Sequence, residues 1–270
     1  MESSKLKNLV LLILVITNLL LGLLMVIQGV ASRQRQAQLL LDAVALLEDR
    51  GISVNAAAIP QDDFPPAMTL ERDSDWERQM FSALLGEDLT ATQRGLVSYY
   101  ESGLGWAEAR EDGSFTIKFS SGSYPTGTLD KRAHGLDLLQ RMGFDALVTA
   151  EGEDTLEVVQ LWDGDPVFSC PVTLTYRSGC LSEMSGVRLM GVPAADPSQS
   201  EILSTATLLL RFRSGIIDSG DACSAILSIT QGYLLSSGPA GTSCLTPVLR
   251  LETDTSLYLV DALTGAVTRS

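Results

Sequence analysis

The chain of 270 residues contains a single histidine, His134. That excludes a metal site built on two or three imidazoles and weakens any histidine-assisted hydrolase. Basic residues are also scarce. Lys and Arg total 19 against 33 Asp and Glu, a formal net charge of −14. Such a chain lacks the cationic surface that displaces counterions from phosphates, so nucleic acid is excluded as a non-specific partner. There are four cysteines, Cys170, Cys180, Cys223 and Cys244, with no CxxC spacing, which argues against zinc. No GxSxG elbow, SxxK pair, GxGxxG turn or GxxxxGK[ST] loop occurs. No catalytic, metal-binding or cofactor-binding residue is therefore assigned, and the expectation is a protein that is not an enzyme. Charged residues make up 19% and apolar residues 45%. This is too apolar for a wholly disordered chain and long enough for one large or two modest domains.

What is present begins with Leu9 to Ile27, LVLLILVITNLLLGLLMVI, which contains no charge. At about 1.5 Å per residue this run nearly spans a hydrocarbon core of about 30 Å. Gly29 and Ala31 offer small-residue spacing for cleavage, but the run exceeds the roughly 7–15 residues of a signal peptide, so it reads as an uncleaved anchor. Residues 1–31 are then a cytoplasmic stub and transmembrane helix, with the remainder outside the cell. Asn18 and Gly22 are the positions in this helix suited to contact with another membrane helix.

Beyond the anchor, Gln34 to Arg50 has a helical apolar face, stopped by Gly51. Asp75 to Leu85 is a second helix, capped by Asp73 or Ser74 and stopped by Gly86. Leu129 to Met142 is a third, stopped by Gly143, and Ser200 to Phe212 a fourth. Between them lie strands. Phe115, Ile117 and Phe119 alternate with polar residues in Ser114 to Phe119. Ala146 to Ala150 and Thr155 to Trp162 form a pair. Val167 to Ser169 and Val172 to Tyr176 continue the sheet as two strands. Asp163-Gly164-Asp165-Pro166 and Ser178-Gly179 read as turns. The fold class is α+β: one N-terminal transmembrane helix followed by exported domains of helices packed on antiparallel sheets. A first exported domain covers 34–123 and a second 127–270, the latter divisible into two similar helix-plus-sheet parts.

Several features carry competing readings. The four cysteines permit two disulfides in three pairings, with Cys170 and Cys180 flanking a hairpin, or they fill the core as reduced thiols. His134 reads as an exposed or helix-bonded imidazole. The acidic run Asp73, Asp75, Glu77 reads as a solvated helix start. Tyr233, Tyr258, Trp162 and Phe168 line a groove or fill a core.

The stretches Ala45–Pro60, Leu161–Gly179, Gly186–Gly191, Ala206–Phe212, Ile229–Leu235 and Leu245–Gly265, together with the anchor, resemble the YycH/YycI family, the YycI-like branch most. The Pro247, Tyr258, Asp261 and Gly265 pattern carries most of the likeness. The resemblance implies a non-enzymatic regulator in the cell membrane of a Gram-positive bacterium. Its implied partners are the lipid bilayer, a related single-pass regulatory protein and the sensor histidine kinase of a cell-wall two-component system. The alternative expectation is an anchored extracellular binding module for a peptide or cell-wall fragment, marked by an aromatic groove around Tyr233 and Tyr258.

Overall fold

The computed structural model describes residues 2–60, 64–196, 201–238 and 242–269, without the side chains of 2–13, 23–33 and 56. Helix α1 (Glu2–Glu48) is followed by strands β1 (Ser53–Val54) and β2 (Met68–Leu70), helix α2 (Ser74–Leu85) and four hairpin-linked strands. These are β3 (Thr90–Arg94), β4 (Val97–Ser102), β5 (Gly105–Arg110) and β6 (Ser114–Phe119). Helix α3 (Lys131–Arg141) leads into β7 (Ala146–Glu151), β8 (Thr155–Trp162), β9 (Asp165–Arg177), β10 (Cys180–Val187) and β11 (Ala194–Ala195). Helix α4 (Thr205–Ser219) precedes β12 (Ala225–Ser237), β13 (Ser243–Thr253), β14 (Leu257–Asp261) and β15 (Val267–Arg269).

The helix ends follow from single residues. Asp73 caps α2 by accepting from the Asp75 and Trp76 amides at 2.9 and 3.0 Å. Asp130 caps α3 through the Ala133 amide at 2.6 Å, and Ser204 caps α4. The fourth helix thus starts at Thr205, five residues after Ser200, which lies outside the described residues. At the other ends, Gly51 (φ 80°) and Gly143 (φ 71°) take the left-handed conformation. The following amides of Ile52 and Phe144 then reach back to the Leu47 and Leu139 carbonyls at 3.1 and 3.0 Å, which satisfies carbonyls that the helix leaves orphaned.

The sheet carries two helix-covered cores. In the first, one row of side chains crosses six strands: Tyr100, Ala107, Ile117, Met184, Leu174 and Leu156 are cross-strand neighbours from β4 to β8. All six are buried beneath α2 and α3, whose Met80, Phe81, Leu84, Leu138 and Leu139 join the same cluster. The next residue along each strand faces the opposite side, as a period of two requires. In the second core, Ala43, Val44 and Leu47 of α1 and Leu208, Leu209 and Phe212 of α4 pack on Ile229, Leu249, Leu251, Tyr258 and Val260. Fully burying one such aliphatic side chain stabilises the fold by about 1.5–3 kcal/mol. The first core draws on α2 and α3 alike, and Tyr124 of the segment between β6 and α3 packs against it.

Strand β9 joins the halves. Its C-terminal part lies between β8 and β10, while Val167 near its start pairs with Tyr233 of β12 in parallel. β1 also runs parallel to β12. The sheet is mixed rather than antiparallel throughout. β1 and β12 are separated by most of the chain, which leaves ample length for the connection that a parallel pair requires. Pro171 does not divide β9. It stands opposite Val159, beside the register shift between Val159 and Leu161, where the ladder is already irregular.

The expected membrane anchor is corrected. Among the described residues no helix is long and apolar enough to cross a membrane. The run Leu9 to Ile27 lies in α1, but the side chains of 9–13 and 23–27 fall outside the described residues. The described part, Leu14 to Gly22, covers about 13 Å of helix, against about 30 Å of hydrocarbon. The fold is α+β with a mixed sheet, and the single-pass topology with a cytoplasmic N-terminus and extracellular domains is withdrawn with the anchor.

Candidate functional site

The sheet ends in a two-strand ribbon. β2 pairs with β11 through Thr69 opposite Ala194 and Met68 opposite Ala195. Alternation along this ribbon sends successive residues to opposite faces, and a cleft lies on each. Thr69, Val192 and Ala194 face the first cleft, of about 610 Å³, with Thr242 and the segment Leu70–Asp75. Met68, Gly191, Pro193 and Ala195 face the second, of about 560 Å³. Its other walls are Trp76 of α2, Gly143 and Asp145 after α3, Gln160 to Trp162 of β8, Asp163 of the following turn, and Leu189.

The two clefts differ in lining: the first carries Arg72 with Glu71, Asp73 and Asp75 and no aromatic ring, the second two carboxylates, two indoles and no basic residue among the described residues. In the first, Asp73 is the α2 cap and Arg72 is tied to Glu77 and Ser98. Their polar atoms hold the helix start in place. In the second, the titratable lining residues are Asp145 and Asp163, and neither forms an ion pair among the described residues. Gln160 is buried at its base, its Oε1 accepting from the Leu189 amide at 2.9 Å. The turn that presents Trp162 and Asp163 is a two-residue hairpin, with Trp162 opposite Asp165. Asp163 (φ 51°) and Gly164 (φ 90°) both have positive φ, the geometry that matches strand twist and favours Asp-Gly.

Behind Trp76 lies a buried ionic cluster. Glu77 is 0% exposed. It accepts from Arg72 Nε and Nη2 at 3.2 and 3.0 Å and from the Tyr100 hydroxyl at 2.7 Å. Arg188, also 0% exposed, brings Nη2 within 3.0 Å of Glu77 Oε2. That approach is out of line for a hydrogen bond, and Nη2 and Nε have no hydrogen-bond partner among the described residues. The attraction is therefore coulombic, with Nη1 donating to the Leu189 carbonyl at 3.0 Å. The Trp76 and Phe81 rings lie 5.6 and 5.2 Å from the guanidinium carbon. Burial lowers the Arg188 pKa to about 10 against the pull of Glu77. Burial, then the hydrogen bond to Glu77, raises Tyr100 to about 12.

No family model matches the chain. No curated protein matches it either. A crystal structure of an uncharacterized protein from Eubacterium rectale ATCC 33656 at 1.45 Å resolution is similar over 81% of this chain and 90% of that one, with 10% identity and a TM-score of 0.44. A likeness at this level carries neither a fold family nor a role across.

The role implied by the YycH/YycI resemblance is corrected on these findings. Nothing matched links the chain to a two-component system, and no membrane-crossing helix stands among the described residues. The cell-membrane location falls with it. So do the sensor kinase, the related single-pass protein and the lipid bilayer as partners.

The residues singled out in the sequence are dispersed. Asn18 and Gly22 are exposed on α1, and a Cβ at Gly22 would meet nothing within 4 Å. All four cysteines are free thiols. Cys180 lies opposite Arg177, and Cys170 is seven residues further along β9, about 23 Å away at strand rise. Burial pushes the Cys170 thiol up to about 12. The groove expected around Tyr233 and Tyr258 is closed: both are buried, their hydroxyls donating to the Pro66 carbonyl and Asp221. Phe168 lies under Arg250. Of the four aromatics, Trp162 lines a cleft. His134 is buried, with Nδ1 3.2 Å from the Tyr176 hydroxyl.

Asp145 and Gln160 were not singled out, since neither belongs to a motif. Arg188 was also missed. Glu77 was assigned to a solvated run, yet it sits four residues before Phe81 and on the face of Phe81 and Leu84. That periodicity marks it as inward-facing.

Proposed function

We propose that the chain is a non-catalytic binding module that holds a small organic molecule in the cleft between Trp76 and Trp162. The observation that carries this reading is the lining itself. Two indoles, a thioether and the apolar Leu161, Leu189 and Pro193 surround a few convergent polar groups in a cavity of ligand size. Binding rather than chemistry is supported by where ionisation is strongly perturbed. Tyr100, Cys170, Tyr176 and Arg188 belong to the cores, and none of them lines the cleft.

The protein carries its own control. It has three tryptophans, and Trp106 lies away from the cleft, under Lys118 at 5.6 Å. With indole nitrogens labelled, a mixed small-molecule library should shift the Trp76 and Trp162 resonances together and leave Trp106 in place. Trp162→Ala should abolish the Trp76 response. A library that moves none of the three, or all three alike, overturns the reading.

A further inference from the structure

Resting on that reading of the cleft, we infer that its ligand is an organic cation, an ammonium group on an apolar stem. The cleft is lined by two carboxylates, Asp145 and Asp163, and by no Lys, Arg or His. In the first cleft the carboxylates share the walls with a cation, Arg72, and with no aromatic ring. Asp73 caps a helix, Glu77 holds two arginines and Asp221 takes Arg269 at 2.9 Å. Asp145 and Asp163 form no ion pair among the described residues. They come from different elements, one from the α3–β7 turn and one from the β8–β9 hairpin, and they meet at the same cleft.

The indoles select among cations. A metal ion needs three or more clustered donors, and no such group of His, Cys, Asp or Glu occurs among the described residues. Aromatic faces instead favour a weakly hydrated ammonium whose carbon atoms also need cover. Trp76 already has Arg188 at 5.6 Å, so part of its negative ring potential is in use. No cationic side chain stands over Trp162 among the described residues. Trp162 is therefore the ring available to the ligand, with Asp163 next to it in the chain. The acidic charge of the whole molecule raises the local concentration of cations at the mouth.

Choline and its neutral carbon isostere dimethylbutanol separate charge from shape, with spermidine as a primary-amine probe and glucose as a neutral polar one. Calorimetry and the indole resonances of the full chain supply the readout. At least one of the two cations should bind about tenfold or more tightly than dimethylbutanol. Asp163→Asn should weaken it by a similar factor while leaving dimethylbutanol unchanged. Asn tolerates the positive φ at this position, so the variant keeps the turn. Asp145→Asn is a second variant at a site outside the hairpin. Glucose or dimethylbutanol binding as well as the cations, or Asp→Asn changes with no effect, would overturn the cationic ligand and leave the binding cleft standing. No response to any library member would overturn both.

Discussion

The two halves of the sheet are covered by two helices each, yet they are held differently. Beneath α1 and α4 the core is a continuous apolar contact of Leu47, Leu208, Phe212, Leu249 and Val260, with Tyr258 keeping its hydroxyl at the edge on Asp221. Beneath α2 the same kind of packing closes over Glu77 and Arg188, both without solvent exposure. An apolar core tolerates error in proportion to the volume lost. A core built around an ion pair is all-or-none at that pair, because either partner alone is an uncompensated buried charge. The half with the ion pair is also the half that presents Trp76 to the cleft. This links the rigidity of the binding surface to an electrostatic lock rather than to burial area.

The largest expected effect therefore comes from Glu77→Ala, which strands Arg188 and removes the acceptor of Arg72 and Tyr100. Denaturant unfolding should show a loss of about 3–5 kcal/mol. Replacing Glu77 and Arg188 together by Met should restore much of it, since the desolvation cost of both charges disappears. A loss below about 1 kcal/mol for Glu77→Ala would mean that water or rearrangement supports Arg188 and that the two halves are alike after all.

Leu249→Ala is the matching change in the other half. Leu249 is fully buried, and its removal leaves a cavity costing about 2–5 kcal/mol. The two clusters share no residue, so Glu77→Ala and Leu249→Ala should add to within about 0.5 kcal/mol. A larger departure would show that β9, the strand common to both halves, transmits strain between them.

How far the sequence revealed this arrangement depended on whether the signal was local. The stops at Gly51 and Gly143, the cap at Asp73, the turns at Asp163-Gly164 and Ser178-Gly179 and the alternation of Phe115 and Ile117 are decided within a few residues, and they are legible. β9 read as two strands because Pro171 is a local breaker, whereas its tolerance depends on an irregular register in β8. The parallel pairings of β12 were invisible for the same reason: nothing near Ala225 refers to Ser53. Of the cleft, Trp162 was visible as an aromatic but was grouped with the wrong neighbours, and Trp76 stands at the start of α2 with nothing local to mark it. Asp145 and Gln160 join them through tertiary folding, and no short-range pattern marks such a meeting. The apolar run at the N-terminus was the loudest signal and carried the functional expectation furthest from what followed. Length and hydropathy weigh a segment alone, whereas the chemistry with specific geometry lies on the sheet.

At high pH the half beneath α2 and α3 should lose stability. Tyr100 and Tyr176 of this core are raised to about 12 by burial, from 10. In each case the fold favours the protonated group. The stabilisation is complete below the unfolded value and is lost as pH rises from about 10 toward 12. Arg188, lowered to about 10, acts in the opposite sense over this range, since the fold disfavours its charged form. Tyr100→Phe should flatten the alkaline fall in stability, although it also removes a hydrogen bond to Glu77 and lowers the neutral-pH value. An alkaline profile unchanged by Tyr100→Phe would place the titrating groups elsewhere.

The smallest expected effect is on the acid side and belongs to His134. Burial lowers its pKa below 6.5; Asp137 opposes the shift, and Arg141 adds to it. Those two groups are also paired with each other across one turn of α3 at 2.6 Å, so their influence on the imidazole largely cancels and desolvation decides the direction. Across the ring, the neighbour is the Tyr176 hydroxyl, which donates to the Lys131 carbonyl at 3.1 Å and offers the imidazolium no compensating negative charge. The folded state therefore binds fewer protons than the unfolded state between the lowered pKa and 6.5. Stability contributed by neutral His134 is full above 6.5 and declines as pH falls through that interval, after which both states are protonated and the slope ends. His134→Gln keeps a polar group of similar size in the pocket and removes the titration. The wild-type and variant stabilities, compared from pH 7.5 to 5, should converge as the wild-type loses its advantage. Curves that stay parallel would mean that the imidazole keeps its ordinary affinity for protons, and that the α3 side of this core is wetter than its burial indicates.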